Sequence, residues 1–266
     1  MSELPLSTKV KSILCEFGYG HCADLPYGKY LYQDVDGSAF VKASSDESGM
    51  ALIRSEIRGL QVISPWVRDV VTVPTGTVLL DDADGVVLKS TRVDGEPASK
   101  WSKSVVHLTP SLASAQSIMS LTDLLANESV DINLSCHLVE RFGDVDLKVT
   151  PSHGDFIYWN VLVGGEQPSL VDFEYVSECR VIGFDDLHFR FAPWMHRWIR
   201  WRLPEQLLIW WGLRQARFVC RQNHLSMEPE LLLAMFFIHW AAIRRQPHLQ
   251  FDLYPIERIE NWATLV

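Results

Sequence analysis

The chain reads as an α+β protein of two lobes: a small β-rich N-lobe with one helix over residues 1–92, and a larger, mostly helical C-lobe over 93–266. Three observations predict this. From residue 10 to 45, short apolar and aromatic segments alternate with Gly-containing turns at Gly18, Gly20, Gly28 and Gly37, the pattern of successive β-hairpins. From Glu47 to Ile63, apolar Met50, Ile53, Ile57 and Leu60 recur three and four apart, which makes one helical face. Far downstream, Leu231–Ile243 is an apolar run interrupted by His239 and closed by Arg244-Arg245. It is too short to cross a bilayer and fits a buried helix.

In chain order, Lys29–Gln33 and Ser38–Lys42 have strand character, with a turn over Asp34–Gly37 between them. Glu56 sits at the edge of the helical stripe. A carboxylate aimed at a core is costly unless a cation meets it, and Lys42 is the nearest upstream candidate. The alternative is a solvated Glu56 beside Arg54 or Arg58. Thr77–Leu80 and Val86–Thr91 form a hairpin around Asp81–Gly85, and Arg92–Pro97 reads as a linker. A helix is expected from about Ser111 to Leu125, with Leu112, Ala115, Met119 and Leu125 in register. Val161–Val163 and Leu170–Val171 read as short buried strands that hold polar residues at their ends.

Composition narrows the function classes. Hydrophobic content of 47% marks a globular chain, and a net charge of −9 disfavours a nucleic-acid partner. The start, Met1-Ser2-Glu3-Leu4-Pro5, lacks a basic segment followed by an apolar one, so no signal peptide is expected. Five scattered cysteines without ligand spacing read as reduced thiols of a cytoplasmic protein. No transmembrane segment is expected, and nothing in the sequence sets the oligomeric state.

The chemistry concentrates in His153-Gly154-Asp155-Phe156-Ile157-Tyr158-Trp159-Asn160, followed by Leu170-Val171-Asp172-Phe173-Glu174. A carboxylate, an amide five residues later and a second carboxylate twelve further on are the groups that phosphoryl transfer to a hydroxyl requires. One Asp orients the hydroxyl and receives its proton; the Asn and the other Asp hold Mg²⁺ against nucleotide phosphates. The same residue types also make ordinary side-chain-bonded turns.

With its His-Gly-Asp-x-x-x-x-Asn and downstream Asp, the chain resembles the aminoglycoside phosphotransferase and choline kinase-like family, a branch of the protein kinase-like superfamily. The resemblance covers most of the chain, strongest from Ser152 to Asp186. It implies a bilobal protein kinase-like fold and a small-molecule kinase using ATP and Mg²⁺. Asp155 would be the catalytic base, with Asn160 and Asp172 the metal ligands. Lys42, anchored by Glu56, would position the nucleotide phosphates beneath a loop between Gly20 and Gly28. The adenine would meet the backbone around Lys89, Ser90 and Thr91. Asp186, in the Asp-Leu step after Gly183, would brace the catalytic loop, and His153 would brace it without doing chemistry. Glu174 stands where a protein kinase carries the Gly of Asp-Phe-Gly. The short run from Asp172 to Asp186 has no Ala-Pro-Glu segment, which points to small-molecule acceptors.

Residues 190–250 set the acceptor question. They hold nine Arg, no Lys and three acids, a local balance of +6, together with six of the ten Trp. An Arg-rich pocket repels polycationic aminoglycosides and cationic choline. It suits a sugar or glycan-related, anionic acceptor, through bidentate Arg contacts and ring stacking. Two other readings stay open. Trp194, Trp198 and Trp201 are spaced as a core face, with the arginines solvated. Alternatively, a helix around Trp194–Arg217 makes peripheral membrane contact, although Pro204 interrupts it. An antibiotic kinase and a catalytically silent kinase-like binding protein remain the alternative functions. His188, His196 and His239 show no ligand spacing and read as packing or surface residues.

Overall fold

Strand-forming residues punctuated by turns do pair early in the chain. In the computed structural model, which describes residues 5–67, 70–98, 117–164, 167–201, 204–244 and 256–266, a five-stranded antiparallel sheet has the order β1-β2-β3-β5-β4. Its strands are β1 (Gly20–Leu25), β2 (Lys29–Gln33), β3 (Ala39–Ser44), β4 (Gly76–Asp81) and β5 (Val86–Thr91). Tyr27 and Gly28 both take positive φ at the β1–β2 turn, a conformation glycine adopts freely and tyrosine does not.

Period-two alternation along β3 divides labour between the faces of this sheet. Val41 and Ala43 join Tyr30, Tyr32 and Val87 in a core cluster with Val10 and Leu14. Those last two belong to α1 (Thr8–Glu16), whose first turn is capped by the Ser7 hydroxyl accepting from Val10 N–H at 3.3 Å. The sequence reading did not anticipate this helix, although Val10, Ile13 and Leu14 carry its spacing. Lys42 alternates with Val41 and Ala43 and so faces the other way. On that side lies α2 (Glu47–Val67), with Ile53, Leu60 and Ile63 buried.

The described residues group into two compact units. One runs to Glu96 and includes Leu162–Val176; the other holds Pro97–Val161, Ser177–Gln246 and the C-terminal helix. A small sheet of order β10-β9-β6 contains β6 (Glu96–Pro97), β9 (Val161–Val163) and β10 (Ser169–Leu170), close to the two short strands expected from sequence.

The second unit is built on an antiparallel sheet of order β11-β8-β7, from β7 (Ser117–Ser120), β8 (Asp146–Ser152) and β11 (Ser177–Val181). Here the expected helix over 111–125 needs correction. Residues 111–116 lie outside the described residues, and Met119 is in a strand paired with Leu147 of β8. The helix, α3, spans only Leu121–Asn127. Ser120 caps it through a bond from Asp123 N–H, so the chain stays extended up to that residue and the apolar period across it has no helical meaning. Next is α4 (Ile132–Phe142), capped by Asp131, which accepts from the N–H groups of Asn133 and Leu134.

Helices α5 (Phe184–Trp201), α6 (Glu205–Gln222), α7 (Pro229–Arg244) and α8 (Ile256–Leu265) complete this unit. Every residue from Leu231 to Ala241 is buried, so α7 is the internal helix its composition predicts. Phe184, Phe191, Phe236, Phe237 and Trp262 form the aromatic centre. Among the described residues, no helix is long and apolar enough to cross a membrane.

Candidate active site

In the first unit, the candidate cluster follows from the phase of β3 against α2. The Lys42 ammonium donates to Glu56 Oε2 at 2.7 Å and to Asp172 Oδ1 at 2.8 Å. Glu174 Oε1 lies 3.6 Å from the same nitrogen. Burial opposes the charge on Lys42, but Asp172, Glu56 and Glu174 together hold its pKa well above the ordinary lysine value. Burial pushes the Glu56 carboxyl up to about 7; Lys42 opposes that rise, and Asp172 and Glu174 add to it. The Lys42–Glu56 pairing argued from the helical stripe is therefore present, and the solvated alternative for Glu56 is not.

Asp172 adopts φ +67°, a left-handed conformation that costs a non-glycine residue of order 1 kcal/mol. It persists because neighbours over-determine the loop. Phe173 is fully buried, and the Glu174 main-chain oxygen accepts from Ser55 Oγ on α2 at 2.7 Å. Glu174 itself is 3% exposed, and its carboxylate accepts a hydrogen bond from Lys29, which is 6% exposed. Sequence reasoning missed this buried ion pair. Its partners are 145 residues apart, and only a chain-length view of the fold places β2 beside the loop that holds Glu174.

Three carboxylates, Glu56, Asp172 and Glu174, thus come close enough to suggest a cation site. The Lys42 and Lys29 ammonium groups already serve that cluster. Asp172 differs from the other two: its side chain is 36% exposed, against 6% and 4% for Glu56 and Glu174. Of the three it is the one placed to give an oxygen to an ion.

In the second unit, the candidate residues Asp155 and Asn160 lie where β8 ends. Asp185, in the first turn of α5, accepts from His153 N–H at 2.8 Å and Gly154 N–H at 3.1 Å. Burial raises its pKa, an effect opposed by His153, by those two N–H groups and by Arg180. The brace of the loop is therefore Asp185. Asp186, expected in that role, instead accepts from Arg190 at 2.7 Å and from Asn223 at 3.0 Å, tying α5 to the end of α6. One helical position separates the two, a rotation of about 100°, which is why they serve opposite partners.

Downstream of the brace, Asp155 O accepts from Ile157 N–H, and Ile157 O accepts from Asn160 N–H, both at 2.9 Å. Two tight turns bring Asn160 back over Asp155. The Asn160 amide donates from Nδ2 to Asp155 Oδ2 at 2.9 Å and to Asp155 O at 3.0 Å. With both N–H bonds spent on Asp155, the amide offers a cation its carbonyl Oδ1. That oxygen is a hard donor of the kind Mg²⁺ prefers, and the partly exposed Asp172 carboxylate is another, each within its own unit.

Lys89, Ser90 and Thr91 lie on β5 between β3 and β4. Thr91 N–H donates to Thr75 O at 3.0 Å. Lys89 points to the face opposite Lys42, its ammonium 3.9 Å from Asp34 and 5.7 Å from the Tyr19 ring.

In the Arg- and Trp-rich region, Trp240 is buried and Trp194 packs on Trp211 at 5.1 Å, which supports a core role for these three. Arg190 bonds Asp186 and Gln222 and lies over the Phe218 ring, so it is structural. Arg214, Arg217 and Arg221 are exposed on α6. The side chains of Arg197, Trp198, Arg200, Trp201, Arg202, Arg244 and Arg245 lie outside the described residues, as does that of His196.

No protein-family model and no curated protein sequence matches the chain. Solved structures do match. The aminoglycoside phosphotransferase APH(3'')-Id from Streptomyces rimosus is 14% identical, with 88% of this chain and 95% of that one covered and a TM-score of 0.50. A thermostable mutant of APH(4)-Ia is 12% identical over 96% and 95% of the two chains, with a TM-score of 0.52. ADP-bound APH(2'')-Ib is 10% identical over 98% and 96%, also with a TM-score of 0.52. The fold of this chain is the α+β, kinase-like fold of the aminoglycoside phosphotransferases.

Proposed function

We propose that this protein is an ATP- and Mg²⁺-dependent phosphotransferase that phosphorylates a hydroxyl of a small molecule in the cytoplasm. The observation that carries the reading is Lys42, held at 2.7 Å from Glu56 and 2.8 Å from Asp172. A strand lysine anchored by a helix glutamate and adjoining a metal-loop aspartate is the arrangement that positions nucleotide phosphates. APH(2'')-Ib with ADP and aminoglycoside 2'-phosphotransferase-IIIa with GDP, two proteins of the same fold, support a purine nucleotide. The base is assigned to the strand end at Lys89, Ser90 and Thr91 and to the chain leaving it.

In this reading Asp155 accepts the proton of the acceptor hydroxyl as its oxygen bonds to the γ-phosphorus. The bond from that phosphorus to the β–γ bridging oxygen breaks, and its electron pair leaves with ADP. Asn160 fixes the Asp155 carboxylate through Oδ2, and Lys42 holds the α- and β-phosphates. Asn160 and Asp172 would hold Mg²⁺, which would supply neutralisation of the charge that develops on the phosphate oxygens.

The preferred acceptor is a sugar or glycan-related, anionic molecule, supported by exposed Arg214, Arg217 and Arg221 and by Trp210, 57% exposed. An antibiotic kinase is the second reading, favoured by the aminoglycoside phosphotransferases of the same fold. Raised aminoglycoside or macrolide tolerance on expression distinguishes it from the first. The test of the reaction itself is Asp155→Ala. ATP consumption with acceptor present is abolished while nucleotide binding survives. A wild-type protein that turns over no hydroxyl compound supports a catalytically silent binding protein instead.

A further inference from the structure

The His188 imidazole belongs to α5, four residues after Phe184, and is 3% exposed. Its ring stacks on Phe184, with centroids 5.8 Å apart and planes 8° from parallel. Phe236 of α7 lies at 5.8 Å and 36°, itself 5.4 Å from Phe184. Contact with both rings restrains the plane of the imidazole, so its polar edge has a set direction. That edge brings Nε2 to 3.9 Å from Asp155 Oδ1. The other carboxylate oxygen, Oδ2, accepts from Asn160 Nδ2 at 2.9 Å.

An imidazole buried beside aromatic rings is costly unless its N–H has polar work. An N–H on Nε2 directed at a carboxylate is such work, and the negative oxygen selects the tautomer that carries it. From 3.9 Å, a small rotation of either side chain brings donor and acceptor within hydrogen-bond range. Both oxygens of Asp155 are then addressed, one by an amide and one by an imidazole. A carboxylate oxygen has two lone pairs, so the acceptor hydroxyl still has a site.

Resting on the kinase reading above, we infer that His188 is a positioning residue for the reaction: its Nε2–H holds the Asp155 carboxylate in the orientation that meets the acceptor hydroxyl. It transfers no proton itself. Histidine spacing in the sequence carried no hint of this, because His188 and Asp155 meet only through the packing of α5.

Two measurements test it. The first compares His188→Leu with His188→Gln, whose side-chain amide can present an N–H near the imidazole Nε2. ATP consumption is followed against a small-metabolite extract that the wild type phosphorylates. Leu lowers kcat about tenfold or more with the nucleotide KM unchanged, as loss of orientation at the reacting group does; Gln restores most of kcat. A Leu variant with wild-type kcat, or a Gln variant as slow as Leu, overturns the role. The second measurement is the ¹⁵N NMR tautomer of His188 in the wild type, which does not depend on how a variant folds. The Nε2–H form is expected, and an Nδ1–H form overturns the role in an active enzyme. A wild type that consumes no ATP overturns the kinase reading, and the role of His188 with it.

Discussion

Gly59 joins the packing of α2 to the geometry of the loop after Asp172, and Gly59→Ala separates two opposing effects. Helix propensity alone predicts stabilisation by about 1 kcal/mol, because alanine is the better residue inside a helix. The structure predicts the reverse sign. A Cβ at position 59 would stand 2.2 Å from Phe173 O, 3.0 Å from Val176 Cγ2 and 3.1 Å from Phe173 Cβ. The first of these is backbone, so relief requires the loop after Asp172 to move by roughly an ångström. Overpacking of this kind costs about 1–3 kcal/mol. After the propensity gain, the net loss is up to about 2 kcal/mol, or up to roughly 8 °C in Tm for a chain of this size. Turnover falls further than stability, since a shift of about 1 Å in a reacting group costs about a hundredfold, and Asp172 adjoins the displaced carbonyl. Thermal unfolding and turnover measured well below Tm read the two effects separately. A variant as stable as wild type or more so, with unchanged turnover, refutes the close packing of α2 on this loop.

The other predictions concern the buried lysines. Lys29→Met removes the cation bonded to Glu174, whose side chain is 4% exposed, and is expected to cost about 3–5 kcal/mol in chemical denaturation. Converting both residues to Met recovers most of that loss, and a single variant costing under about 1 kcal/mol would show that the pair is dispensable. For Lys42→Met, the prediction is a pH dependence in metal-free buffer. Burial pushes the Glu56 carboxyl from the ordinary glutamate value up to about 7, outweighing the opposing effect of Lys42. Removing Lys42 raises it further. Above the unfolded pKa the folded state then retains the proton the unfolded state has lost, so stability falls as pH rises. The loss is about 1.4 kcal/mol for each additional unit. The stability gap between variant and wild type therefore widens from pH 5 to pH 8, and a constant or narrowing gap contradicts it.

Local chemistry was the most legible part of the chain. The order Asp155, Asn160, Asp172 is written in two short motifs, and Lys42–Glu56 follows from the register of one strand and the phase of one helix. Features that depend on distant packing were not legible. Lys29 meets Glu174 across 145 residues, and no local pattern marks either as buried. Choosing Asp185 over Asp186 needed the rotation of α5 to within one residue, finer than any boundary read from apolar spacing. From 117 to 125 the helical period misled because Ser120 starts the helix and the strand before it also carries apolar residues. His188 was read as packing, which its aromatic neighbours bear out, but its direction toward Asp155 is a property of the fold.

The most direct test is a screen of a small-metabolite extract with Mg²⁺ and ATP for molecules that gain one phosphate, comparing wild type with Asp172→Ala. Phosphoryl transfer predicts that one or a few hydroxyl-bearing metabolites gain phosphate with the wild type and none with the variant. No gain with wild type, or equal gain with both proteins, contradicts it.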